Sequence, residues 1–274
     1  MQPVGRGLEH RTERGGAHTD FGATTMAHTA GEWAAAGGPA LPELVVFDLD
    51  MCMWSPEMYT LHKPPTIPVP GDLGRATAPS MMPAAGAPAG MAATGRAMQG
   101  VVGASNGQDT VRLFPGALAA LQDVAAGKYP GMRIAAASSA DNANAVACAK
   151  ASLALLEVEP GLTFAQLLAR GFEDIGEGNV QIGRSAPLSS DKTTHFNLLR
   201  KNTGIEFDKM LFFDDCGWSD NCAVVERGCP GVTTMKTPNG KQAHSMRQPP
   251  PNIGAKGPAE SCRDTQTSLR QPSP

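Results

Sequence analysis

A chain of 274 residues, 41% hydrophobic and 18% charged, can bury one good core of roughly 150 to 200 residues. Its formal net charge of −3, with Lys and Arg scattered, lacks the basic footprint of a nucleic-acid binder, and no apolar run reaches the ~18 residues of a membrane span. Six cysteines without a CxxC pair read as free thiols, so the expectation is a cytoplasmic protein, monomer favoured, with no nucleic-acid and no membrane partner.

Residues 1–40 carry no sustained period and read as a flexible arm. Organelle targeting is the functional alternative for it, against which stand Glu9, Glu13, Asp20 and Glu32. The stretch "ELVVFDLD" (43–50) is an apolar strand that runs straight into Asp48 and Asp50. A Pro/Ala/Gly/Met tract at about 66–109 follows neither strand nor helix grammar and is expected to be a low-complexity surface insertion, tolerable because loop closure costs grow slowly with length. "PGALAALQDVAAG" (115–127) predicts a helix with Pro near its start and Gly127 as its stop. "MRIAAAS" (132–138) predicts a strand, 140–158 a helix with Asp141 and Asn142 near its start, "TFAQLLARGF" a short helix, and "NVQIG" (179–183) a third strand. "KTTHFNLLRKNTG" (192–204) predicts a helix ending at Gly204. "KMLFFDD" (209–215) repeats the apolar strand that ends on two acids; "NCAVVERG" and "GVTTMK" supply a last helix and strand, and 237–274 reads as a Pro-rich disordered tail.

Apolar strands each followed by a helix predict a doubly wound parallel α/β sheet with helices on both faces. In such sheets ligands sit at the carboxyl ends of the strands. Asp48 and Asp50, Ser138 and Ser139, and Asp214 and Asp215 should therefore meet at one rim, with Lys192 at a helix start nearby. Carboxylates gathered there repel one another unless a cation holds them, and oxygen-only donors favour Mg²⁺.

Four segments in order, "FDLDMCMW", "AAASS", "SSDKTTHF" and "FFDD", resemble the four motifs of the haloacid dehalogenase (HAD) superfamily, and the extended match resembles its magnesium-dependent phosphatase family. The similarity covers roughly 42–62, 110–153 and 180–236, within a phosphatase domain expected at 41–236 with a minimal cap or none. The resemblance implies that Asp48 is the nucleophile, forming an aspartyl-phosphate, and Asp50 the general acid and base. It implies that Leu49, Ser138, Ser139 and Lys192 bind the phosphoryl group, and that Asp48, the backbone carbonyl of Asp50, and Asp215 hold Mg²⁺, with Asp214 the weaker candidate of its pair. The chain departs from the family pattern at Cys52, where a packing role and some sensitivity to oxidation are expected, and at Ser139, where the family often has Arg. Asp220 reads as a helix cap rather than a further ligand, His195 as a packing or supporting residue, and Trp54 as either pocket rim or core.

The expected substrate is a phosphorylated small molecule or protein side chain in an open site; the resemblance implies phosphotyrosine and sugar phosphates. A signalling receiver domain uses similar residues in the reverse order, with the adjacent acids first. A non-catalytic phosphate-binding or scaffold protein on the same fold is the alternative, against which stands the retention of Asp50.

Overall fold

A computed structural model describes residues 41–74 and 98–238. The expected arm, the middle of the expected insertion (75–97) and the chain from 239 onward lie outside the described residues. In chain order the first elements are strands β1 Leu44–Phe47, β2 Trp54–Ser55, β3 Ile67–Asp72, β4 Gln99–Ser105 and β5 Thr110–Leu113, then helix α1 Pro115–Ala125. They are followed by β6 Arg133–Ser138, α2 Ala143–Leu155, β7 Glu157–Glu159, β8 Leu162–Thr163 and α3 Phe164–Ala169. The last are β9 Val180–Ile182, α4 Lys192–Thr203, β10 Met210–Asp214, α5 Asn221–Gly228 and β11 Thr233–Lys236.

The central sheet has the order β11-β10-β1-β6-β9, and every neighbouring pair in it is parallel. Period-two alternation divides its side chains between two apolar layers. Val45, Phe47, Ile134, Ala136, Leu211 and Phe213 join one layer, which α1, α2 and α3 cover with residues such as Leu121, Cys148 and Leu167. Leu44, Val46, Ala135, Ala137 and Phe212 join the other, covered by Phe196 and Leu199 of α4 and Val225 of α5. Each of the large side chains contributes roughly 1.5–3 kcal/mol by burial, which is why β1 and, up to Asp214 at its tip, β10 are apolar and carry no polar face.

The helices whose N-termini face the site begin where the sequence supplies caps. Asn142 accepts from the Ala145 amide at the start of α2, Asp191 accepts from the Thr193 amide at the start of α4, and Gly204 ends α4 in the left-handed region at φ 68°. Chain order reverses between β1 and β10, because the chain runs outward through β6 and β9 before returning to β10 and β11. The tips of β1 and β10 therefore flank the switch point where such sheets bind ligands.

The expected insertion contains secondary structure at both ends. β3 and β4 pair antiparallel, from Ile67 with Ser105 to Asp72 with Gln99, and extend a four-stranded sheet of order β2-β5-β4-β3. Pro68 and Pro70 hide this strand from a sequence reading. Proline cannot donate to a ladder but is tolerated at an edge, and β3 is the edge, with its register shifting between Val69 and Pro70. At the other end, Thr237 was expected to begin the tail, yet it is buried, its amide bonding the Asp214 carbonyl at 2.8 Å and its hydroxyl donating to Cys52 Sγ at 3.2 Å. No helix among the described residues is long and apolar enough to cross a membrane.

Candidate active site

The parallel pairing brings together the residues that the sequence separated. Asp48 follows β1, Ser138 ends β6 and Asp214 ends β10, so adjacent strands present all three at one edge. Lys192 is the first residue of α4, and its side chain, only 2% exposed, reaches inward. There it donates to Asp48 Oδ1 at 2.5 Å and to the Ala137 carbonyl at 2.7 Å, and pairs with Asp214 Oδ2 at 3.2 Å. A buried lysine is tolerable because these three oxygens replace its water. Burial alone would lower its pKa, but Asp48 and Asp214 outweigh that and hold it above the ordinary lysine range.

Asp48, Asp214 and Asp215 each offer a carboxylate oxygen, and the three lie within 4.8 Å of one another. Three carboxylates against one lysine leave two negative charges uncompensated, and burial pushes the Asp48 carboxyl up to about 8 against the pull of Lys192, with Asp214 adding to the rise. Burial and Asp214 likewise raise Asp215. An all-oxygen donor set short of two positive charges fits a hard divalent cation. Within it the two adjacent acids differ. Asp214 is fully buried and accepts from the Cys216 amide at 2.8 Å and from Asn221 Nδ2 at 3.2 and 3.1 Å besides meeting Lys192. Asp215 is half-buried, with Oδ2 on the Gly217 amide at 2.9 Å, so it retains oxygen capacity facing the cavity that it lines.

Asp50 stands on the outer side of the site. The chain turns through Met51 at φ 57°, and Trp54 Nε1 donates to Asp50 Oδ1 at 2.8 Å while the Met58 amide donates to Oδ2 at 3.0 Å. Burial raises the Asp50 pKa; these two donors oppose the rise. Trp54 is wholly buried, edge-on to Phe164 at 6.4 Å, so its position is core, and its indole N–H orients the carboxylate. Leu49 buries its side chain completely, leaving its backbone between the two acids. Ser139 Oγ is a buried oxygen without a hydrogen-bond partner among the described residues. Asp48, Asp50, Ser138, Ser139, Lys192 and Asp215 all line one cavity of about 420 Å³.

Residues outside this set behave as structure. Asp220 caps α5 by accepting from the Ala223 amide and pairs with Lys236 at 2.6 Å. Cys52 is buried, and burial with nearby Asp48 pushes its thiol well above the ordinary range. Little thiolate forms there, so the expected oxidation sensitivity at Cys52 does not follow. His195 Nε2 lies 3.2 Å from the Ser138 carbonyl and 3.1 Å from the Gly183 carbonyl. Both are acceptors, so Nε2 carries the proton and ties the tip of β6 to the tip of β9. Burial and neighbouring Lys192 lower its pKa to about 4.

Sequence reasoning missed Arg184, Glu57, Tyr59 and Trp218, which also line the cavity. Trp218 is 82% exposed and Tyr59 49% exposed; they stand edge to face at 6.4 Å, and Trp218 Nε1 donates to Glu57 Oε2 at 3.1 Å. Arg184 and Trp218 belong to irregular segments, and Tyr59 and Glu57 to a single 3-10 turn at Met58–Thr60 and its cap, too short for periodicity to place them. Large exposed aromatics next to the acidic motifs were the available signal.

The reversal point of the parallel sheet thus gathers carboxylates around one buried lysine, with hydroxyls at the next strand tip. The chain belongs to the Acid Phosphatase family, whose model matches residues 40–249. Among curated proteins none matches. Among solved structures, the N-terminal part of the protein BF1531 from Bacteroides fragilis, containing a phosphatase domain and complexed with Mg, is 14% identical, with a TM-score of 0.38. The match covers 81% of this chain and 43% of that one, so the chain spans less than half of that chain's length.

Proposed function

We propose that the protein hydrolyses phosphomonoesters with Mg²⁺ through an aspartyl-phosphate on Asp48. The observation that carries this function is the Lys192 ammonium held 2.5 Å from Asp48 Oδ1, with Asp214 and Asp215 carboxylates grouped alongside. Asp48 with Asp215, helped by the Asp50 backbone carbonyl, would hold the metal, and Asp214 would fix Lys192 rather than ligate. When bound, Mg²⁺ supplies positive charge to the phosphoryl oxygens and to the acids around them.

Asp48 attacks phosphorus from the tip of β1, and Lys192 offsets the charge that develops, in a reaction where the protein contributes mostly positioning and electrostatics. The Ser138 hydroxyl and the backbone N–H groups of Ser139 and Leu49 bind the transferring oxygens. Asp50, raised by burial yet oriented by Trp54 and Met58, gives its proton to the leaving oxygen. It then takes one from the water that cleaves the acyl phosphate. A scaffold that binds phosphate without turnover needs no such oriented proton carrier.

The catalytic domain in this function is residues 41–236 together with the buried Thr237. Its substrates are phosphotyrosine in proteins, sugar phosphates, or both, since the cavity is open and has aromatic side chains at its mouth. Hydrolysis of p-nitrophenyl phosphate tests the proposal. Turnover is expected with Mg²⁺, none with chelator, and a loss of at least 10³-fold in Asp48→Asn. A folded protein without turnover would instead favour the non-catalytic scaffold.

A further inference from the structure

One cation at the cavity is committed to no carboxylate among the described residues. Lys192 is held between Asp48 and Asp214. Arg184 lines the same cavity and is exposed, and among the described residues no carboxylate pairs with it. Its contact is with backbone: Nε donates to the Ser139 carbonyl at 2.9 Å. The fold fixes that position. Gly183 sits at φ 117°, a left-handed value that turns the chain just before Arg184, and its amide donates to the Ser138 carbonyl at 2.9 Å. With Gly183 and Ser138 carbonyls both on His195 Nε2, the tips of β6 and β9 are clamped together and Arg184 is carried to Ser139.

A second observation falls at the same residue. Ser139 Oγ is buried, lines the cavity and has no hydrogen-bond partner among the described residues. A buried hydroxyl left unpaired is costly, and an oxygen-bearing ligand would recover that cost. Elsewhere along the lining, Glu57 and Asp141 are acidic and repel anions. A guanidinium anchored through Nε keeps its terminal nitrogens for an oxyanion.

We propose that Arg184 and the Ser139 hydroxyl form a subsite for a second oxyanion, a carboxylate or a second phosphate, carried on the part of the substrate that is not transferred. This rests on the phosphatase function proposed above and narrows its substrates to phosphomonoesters with a further acidic group.

The test compares phenyl phosphate with its three carboxyphenyl phosphate isomers and the three phenylene bisphosphates, in the full chain with Mg²⁺. The wild type should prefer at least one oxyanion-bearing compound over phenyl phosphate by about tenfold in kcat/KM, the yield of one charge-assisted hydrogen bond, carried in KM. Which of the two sets shows the preference distinguishes carboxylate from phosphate. Arg184→Met should lose at least fivefold more on the preferred compound than on phenyl phosphate, and Arg184→Lys should fall between. Equal losses on all compounds, or no preference in the wild type, overturn the subsite. Melting curves of each variant check folding. Absence of turnover on every compound would refute the phosphatase function instead; calorimetric affinities of wild type and Arg184→Met for the same compounds then decide the subsite, and equal affinities overturn it.

Discussion

Replacing Lys192 by Met keeps much of the side-chain volume and removes one charge from the middle of the site. At an effective dielectric of about 20, unit charges about 3 Å apart interact by ~5 kcal/mol before desolvation is counted. Lys192 makes two such contacts, with Asp48 at 2.5 Å and Asp214 at 3.2 Å, and also satisfies the Ala137 carbonyl. Removing one partner of a buried pair costs about 3–5 kcal/mol, because the remaining charge stays desolvated. Lys192→Met should therefore lose that amount in urea unfolding at pH 8 with chelator present. Burial raises the Asp48 carboxyl and Lys192 opposes that rise, so without Lys192 it takes a proton more readily; the loss at pH 8 should fall at the low end of that range and be smaller still at pH 5. Mg²⁺ should restore part of the stability by supplying the missing charge. A variant unfolding at the wild-type midpoint at both pH values would refute the buried charge cluster.

Asp50→Asn should lower kcat by 10²–10⁴ with little change in melting temperature, and the loss should be larger for alkyl than for nitrophenyl leaving groups, since only the former need a proton. Trp54→Phe keeps most of the packing against Phe164 but removes a donor that lowers the Asp50 pKa; kcat should fall about tenfold, and the limb of the pH-rate profile set by Asp50 should move to higher pH. His195, near 6.5 when unfolded and lowered to about 4 in the folded chain, contributes stability above pH 6.5 that is lost as pH falls toward 4. At about 1.4 kcal/mol per pH unit the contribution is ~3 kcal/mol. His195→Gln should therefore flatten the decline of melting temperature between pH 6.5 and 4. Gly183→Ala places a side chain at φ 117°, with Cβ 3.2 Å from Val146 Cγ2, and should cost about 1–3 kcal/mol in denaturant unfolding.

The parallel sheet was legible because burial on both faces leaves continuous apolar runs, and each run at 44–47, 133–138 and 210–214 ended on a polar pair that marked its tip. Lys192 was legible through its place in an ordered motif, but its burial was not, because nothing local distinguishes a lysine at a helix start that points inward from one in solvent. The β3–β4 pair was illegible for a different reason. Its strands are separated by 26 residues, from 73 to 98, and rich in Pro and Gly, and what selects an extended edge strand there is the sheet it joins. Trp54 divided evenly between rim and core from sequence; its bond to Asp50 depends on the turn at Met51, a left-handed residue that composition does not flag. Arg184 depends on the clamp between two strand tips distant in the chain, a relation that only the fold supplies.

Covalent capture at Asp48 tests the mechanism most directly. Asp50→Asn protein mixed with p-nitrophenyl phosphate and Mg²⁺, quenched in acid within one turnover and digested, should yield the peptide containing Asp48 heavier by one phosphoryl group, and Asp48→Asn should yield none. Steady hydrolysis by the wild type with no phosphoryl group on that peptide, or with the label on another residue, would contradict it.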